Sequence, residues 1–227
     1  MKKNLIKKVN NELYQRIPIK TKVLTENDDM AAIVSEYTKD KIKKNDIITI
    51  SESPLAITQG RAIPEDKIKP GFLANLLWRF VANVKYGTGL RSPLSMQCAI
   101  DECGSVRILI AAVAAAFTKL IGRKGDFYRI AGMQAGLIDA AHTSPVEPYD
   151  KCVLKGPKNP DKVARKIQNQ LTFKNQVTVM DINDIGGSWV IGKTDGINTE
   201  LIEKIMDDNP QGQEKQLTPI CLIRKLS

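Results

Sequence analysis

Residues 17 to 61 read IPIKTKVLTENDDMAAIVSEYTKDKIKKNDIITISESPLAITQGR, and the hydrophobic periodicity of this stretch decides the fold class. IPIKTKVL (17–24) alternates apolar and polar residues as a half-buried strand does, and Thr25-Glu-Asn-Asp-Asp is a helix-capping cluster. DDMAAIVSEYTKDKIKK then supplies a helix, and NDIITISES returns a second strand. That strand runs into SPLAITQGR, where Pro54 and Gly60 are expected to break regular structure. The stretch therefore predicts strand, helix, strand and a polar loop.

The same reading carries along the chain. GFLANLLWRFVANV, from Gly71, places Phe72, Leu73, Leu76, Leu77, Phe80, Val81 and Val84 at helical spacing, which predicts a stripe facing a core. KYGTGLRSP is a glycine-bearing loop, followed by an Ala-rich helix through residue 121 and the basic turn GRKGDFYR. In KNPDKVARKIQNQL, Asn159 is the expected cap and Pro160 the first helical residue, with Val163, Ile167 and Leu171 four apart and a basic outer face. QVTVMDI and SWVIG read as strands, NTELIEKIMDD as a capped helix ended by Asn209-Pro210, and TPICLIRKL as a last strand. Strands and helices mix without repeat or long linker, so the chain is expected to be an α+β (mixed α/β) protein, one body over 1–227 with room for two packed subdomains.

Composition limits the function classes. The 227 residues are 42% hydrophobic, enough to bury a core. The longest uncharged apolar run, Ile108 to Phe117, has ten residues, about half of the ~20 that cross a bilayer, so it predicts a buried helix and no membrane partner. The N-terminal residues show no secretory pattern, which points to the cytoplasm. Four scattered cysteines without a CxxC pair read as reduced thiols, and a single histidine excludes a histidine-rich zinc centre. Any metal would be a hard cation held by oxygen. The net charge of +9 is concentrated: residues 1–22 and 151–174 each carry a net +6, which leaves −3 for the remainder. With 5% aromatics there is no interleaving of rings and basic residues, so nucleic acid is disfavoured against an anionic small molecule or solvated faces.

GSWVIGKT (187–194) matches the phosphate-loop expression letter for letter. A working loop needs small residues that let backbone N–H groups curl around phosphate, then a helix. Trp189, Val190 and Ile191 prefer extended structure, and Thr194 is followed by Asp195-Gly196. The octamer is expected to be a strand with glycine at each end. Just upstream, Asp181, Asn183 and Asp184 end an apolar strand, where oxygen side chains suit magnesium or manganese, and where D-x-N-D equally suits an Asx turn. Asp139 and His142 in AGLIDAAH form a second candidate. Two carboxylates on separate segments could neutralise one or two cations.

These segments resemble the coenzyme F420-0:L-glutamate ligases, or gamma-glutamyl ligases. IKTKVL…ITQGR is similar to the family's opening with its closing "EGR"-like tripeptide, here Gln59-Gly60-Arg61. AGLIDAAH is similar to its "AGID-x-x-N" segment, and QVTVMDINDIGG to its "V-x-I-T-D-T-N-G" segment. The resemblance implies the family's mixed α/β fold as a homodimer. It also implies GTP or ATP with magnesium or manganese, used to activate a substrate carboxylate as an acyl phosphate that the amine of glutamate attacks. Asp139 and Asp181 fall on metal-binding aspartates, with Asn183 and Asp184 beside them. Glu52, Ser53, Gly60, Arg61, His142, Gly212 and Gln213 fall at or near nucleotide-contacting positions. Arg91 and Arg129, with the basic cluster at 151–174, would suit an anionic acceptor such as F420-0 or a folate. No residue is singled out as a general base. Ile57 stands where the family has a phosphate-meeting Lys, and Ile182 where it has a metal-contacting Thr. Those two positions support the alternative of a repurposed, non-catalytic metal- or ligand-binding protein of the same fold.

Overall fold

The computed structural model describes residues 4–81, 89–123, 125–184 and 187–226. Along the chain run β1 (Ile6–Val9), β2 (Glu12–Ile19), α1 (Met30–Thr38), β3 (Ile47–Ser51), α2 (Glu52–Thr58), β4 (Ala62–Pro64), α3 (Phe72–Leu77), α4 (Pro93–Cys103) and α5 (Ser105–Leu120). After them come α6 (Asp126–Ala131), α7 (Met133–Gly136), β5 (Cys152–Leu154), α8 (Pro160–Gln170), β6 (Val177–Ile182), β7 (Ser188–Lys193), α9 (Thr199–Met206) and β8 (Ile220–Leu226). The expected α+β class is observed. The chain divides into two compact units, Met1–Gly60 with Pro157–Ser227, and Arg61–Gly156.

The first unit is built on a six-stranded sheet in the order β1-β2-β8-β3-β6-β7. Every pairing is antiparallel except β3 with β6. The central strands read IITI, VTVM and ICLI, apolar runs of the kind that strands covered on both faces require. Alternation sends Ile48, Ile50, Val177, Val179, Ile220 and Leu222 to one face, where they pack with Ile33 and Val34 of α1 and Ala164 and Ile167 of α8. Met180, Cys221 and Ile223 pack on the other face with Ile202, Ile205 and Met206 of α9. Asp29 caps α1 by accepting from the amides of Ala31 and Ala32, and Asn198 caps α9 by accepting from Leu201 N.

The edge strand β7 explains the phosphate-loop lookalike. Its free amides are taken by side chains, Val190 N by Glu203 Oε1 at 3.0 Å and Lys193 N by Asp161 Oδ1 at 2.8 Å. A Cβ on Gly192 would lie 2.4 Å from Pro160 Cβ, so glycine is what lets the start of α8 rest on the strand. Lys193 Nζ donates to Thr199 Oγ1 and Ile197 O, and Val177 N donates to Thr194 Oγ1. The octamer is committed to packing, as its extended-structure residues indicate.

In the second unit, β4 and β5 pair antiparallel, and Asp139 bridges Leu154. The helices gather Ala74, Leu77, Met96, Ala99, Ile108 and Val153 into a core. Arg61 is buried and bonded to Glu102 at 3.0 Å and to Gln134 Oε1 at 3.2 Å, with Lys155 3.6 Å from the same Glu102. All four cysteines are free thiols.

Several sequence readings are corrected. The strand expected over 17–24 is the end of β2, which runs Glu12–Ile19, so residues 20–24 extend beyond it. SPLAITQGR is mostly the helix α2 and not a loop. Pro54 is tolerated because it falls in the first helical turn, where the missing N–H has no partner to lose. The stripe from Gly71 faces the core along one of its two rows, with Leu77 buried and Leu73 and Val81 packed against the core. α3 buries Ala74 and Leu77, while Phe72 and Phe80 point outward, and Val84 lies outside the described residues. The run Ile108–Phe117 is not a buried helix either. Gly104 separates α4 and α5, which meet at 116°, and of α5 only Ile108 and Ala111 are fully covered. Among the described residues no single helix is long and apolar enough to cross a membrane.

Candidate functional site

The parallel pair β3 and β6 ends on the same side of the sheet, with Ser51 in register with Met180. That pairing places Glu52 and Ser53, which open α2, beside Asp181, the next residue of β6. In open sheets the carboxyl ends of parallel strands are where ligands bind. Glu52 is buried. Asp181 is half-buried, and no described residue donates a hydrogen bond to its carboxylate. Burial alone pushes its pKa above the ordinary carboxylate value. A desolvated carboxylate without a donor is the chemistry that a bound cation satisfies.

The remaining candidates of this unit converge on the same strand ends through the loop after α9. Asp184 N donates to Gln213 Oε1 at 2.7 Å, and Asn209 Nδ2 donates to Asp184 Oδ1 at 2.9 Å. Asn209 Oδ1 in turn accepts from Gly212 N. Asn183 N closes the turn onto Gly187 O at 3.1 Å. Both an acidic strand end and a polar turn are therefore present, and these hydrogen bonds do not use the Asp181 side chain.

Sequence reading missed Gln211. It is buried, and its Nε2 donates to Ser51 Oγ at 3.0 Å and to Thr218 O at 3.1 Å, while Thr218 Oγ1 returns a bond to Gln211 O. Its Oε1 has no partner among the described residues. Three neutral amides, Asn209, Gln211 and Gln213, thus tie one loop to the ends of β3 and β6 without adding charge beside Asp181. The alternate amides of NPQGQ were the available signal, and nothing local shows which strands they grip.

Apart from Gly60, which closes the first segment of the first unit, the other candidates belong to the second unit. Asp139 is exposed, its backbone paired with Leu154 at 2.9 and 3.0 Å. His142 is exposed in a left-handed conformation, with Nε2 3.1 Å from Glu65 Oε2. Arg61 is spent on the ion cluster described above, and Gly60, the residue before it, ends α2 at φ +66°. Arg129 is bonded to Asp126 at 2.7 Å, and Arg91 is exposed ahead of α4. Among the described residues no three His, Cys, Asp or Glu side chains converge closely enough to hold a metal ion. The donors present are nevertheless the hard oxygens that magnesium or manganese takes.

A family model described as F420-0:Gamma-glutamyl ligase matches residues 18–222, nearly the whole chain. A search of the curated proteins finds no match.

Proposed function

The chain belongs to the F420-0:gamma-glutamyl ligase family, and from that premise we propose that it is a metal-dependent, nucleoside-triphosphate-driven ligase that joins L-glutamate to a carboxylate-bearing cofactor such as F420-0 or a folate. In this reading GTP or ATP transfers its terminal phosphoryl group to the acceptor carboxylate. The glutamate nitrogen then attacks the acyl carbon, the C–N bond forms, and phosphate leaves with the C–O electron pair. A magnesium or manganese ion would supply charge neutralisation at the phosphates. Asp181, with Asn183 and Asp184 beside it, would hold it, and Asp139 is a separate carboxylate candidate of the second unit. Glu52, Ser53, Gly212 and Gln213 would position the nucleotide, and Arg91 and Arg129 the anionic acceptor. Such a mechanism rests on positioning and charge more than on a general base.

The observation that carries this reading is Asp181, a carboxylate at the end of β6 with burial and no described donor. The test is a thermal-shift titration with GTP or ATP, each with manganese, magnesium or chelator. Binding confined to the folded state raises stability by about 2.7 kcal/mol at a hundredfold excess over Kd. A shift that needs both metal and nucleotide and vanishes in Asp181→Asn supports the ligase. Ile57, buried in α2 at the place the resemblance gives to a phosphate-meeting Lys, favours a second reading of a binder without turnover. Binding of metal or ligand without glutamate-dependent phosphate release would select that reading.

A further inference from the structure

Trp189 does not join any of the apolar cores, and it stands beside the candidate site. In the antiparallel register of β6 and β7 it is the partner of Asp181. Alternation along the two strands sends Ile182 and Val190 against the cluster under α9, and Ser188 Oγ donates to Glu203 O of that helix. Asp181 and Trp189 therefore project together from the opposite face, with Cβ atoms about 4.5–5.5 Å apart. The indole is 47% exposed. Its position is nevertheless fixed. A Cβ on Gly187 would lie 2.4 Å from Trp189 Cη2 and 2.9 Å from Cζ3, so only glycine leaves the ring its seat on the turn. The amides of Val190 and Lys193 are taken by Glu203 and Asp161, so this edge does not present the ring to an added strand.

We propose that Trp189 is a stacking platform for the planar heterocycle of a substrate whose anionic end is held at Asp181 through the cation. A seated, half-exposed indole offers a π-face to another planar ring, and little of its own freedom is lost when that ring covers it. The inference rests on the ligase reading, which supplies two such rings, the base of the nucleotide and the ring system of the acceptor. Stacking does not read the hydrogen-bonding edge of a ring. Trp189 therefore adds affinity without choosing between GTP and ATP.

The test is calorimetric titration of the full chain, of Trp189→Ala and of Trp189→Phe with magnesium and GTP, ATP, inorganic tripolyphosphate, F420-0 or folate. Tripolyphosphate carries the charge that a bound cation attracts and has no ring. Trp189→Ala is expected to weaken the stacked ligand about 5- to 150-fold and to leave tripolyphosphate unchanged, while Trp189→Phe keeps most of the affinity. A loss confined to GTP and ATP assigns the platform to the base, and one confined to F420-0 or folate assigns it to the acceptor. In Trp78→Phe, Trp189 is the one remaining indole. Its emission is expected to be quenched by the stacked ligand and not by tripolyphosphate. Unchanged affinity of Trp189→Ala for every ligand overturns the proposal, as does a loss that extends equally to tripolyphosphate. In either case nucleotide binding that still needs magnesium leaves the ligase reading standing, whereas a native chain that binds none of these ligands sinks both.

Discussion

Asp181 and Gly192 are single residues that the local sequence leaves ambiguous and their surroundings resolve. Burial raises the Asp181 pKa, so the folded state binds the proton more tightly than the unfolded one, and stability falls as pH rises from the unfolded value through the folded one. At neutral pH the ionised carboxylate therefore costs stability. Asp181→Asn is expected to melt higher than the native protein in chelator and to lose any stabilisation by manganese. A variant that melts lower in chelator would contradict this cost. Gly192→Ala puts a methyl group 2.4 Å from Pro160 Cβ and 2.6 Å from its backbone carbon. Overpacking of that kind costs about 1–3 kcal/mol, to be read from the urea midpoint. A neutral result would mean that α8 can move off the strand. That the octamer is a strand was legible in its sequence, but the partners of Lys193 and Thr194 were not.

At the scale of elements, capping and strand composition were legible, and phase was not. Asp29 was part of a recognised capping cluster, and it caps α1 while also pairing with Lys166 of α8. Lys166 is the largest cause of its lowered pKa, ahead of the two backbone amides. Asp29→Ala is expected to cost about 1 kcal/mol, the usual value of an N-cap, and Asp29→Asn less, measured by urea unfolding. Equal losses would mean that the pairing with Lys166 and not the cap matters. The helix from Gly71 shows the limit. Of the two expected rows, the core takes Leu73, Leu77 and Val81 with Ala74, and Phe72, Leu76 and Phe80 stay outside, because spacing fixes a period and the packing partner decides which edge of a wide apolar face is covered. The run Ile108–Phe117 is apolar on every side, so periodicity could not say which side is covered.

Across the whole molecule, carboxylates in both units are paired with cations. Side-chain bonds to Lys225, Lys22, Lys166 and Lys204 lead in lowering the pKa values of Glu12, Asp28, Asp29 and Glu200, and Asp126 is lowered by Thr118, Arg129 and Arg123. A folded pKa below the unfolded one gives stability that is present above the unfolded value and lost as pH falls. The unfolded values are 3.8 for Asp and 4.5 for Glu. The urea midpoint is therefore expected to be level near neutrality and to drop through and below that range. Asp181 runs the opposite way and softens the drop. A midpoint that rises on acidification through the same range would show that the exposed pairs contribute nothing.

The sequence by itself determined that the chain is a mixed α/β protein with apolar central strands, that the octamer at 187–194 is a strand, and that acidic residues end the strand before it. Those conclusions rest on local periodicity and on the conformations that individual side chains prefer. Only the tertiary structure decided that β8 inserts between β2 and β3, that β3 and β6 run parallel so that Glu52 and Asp181 end together, and that Gln211 grips Ser51. These depend on pairings between residues far apart in the chain, such as Thr49 with Cys221. A local pattern states that a strand has a partner and a buried face, and it contains no information about which distant segment provides them.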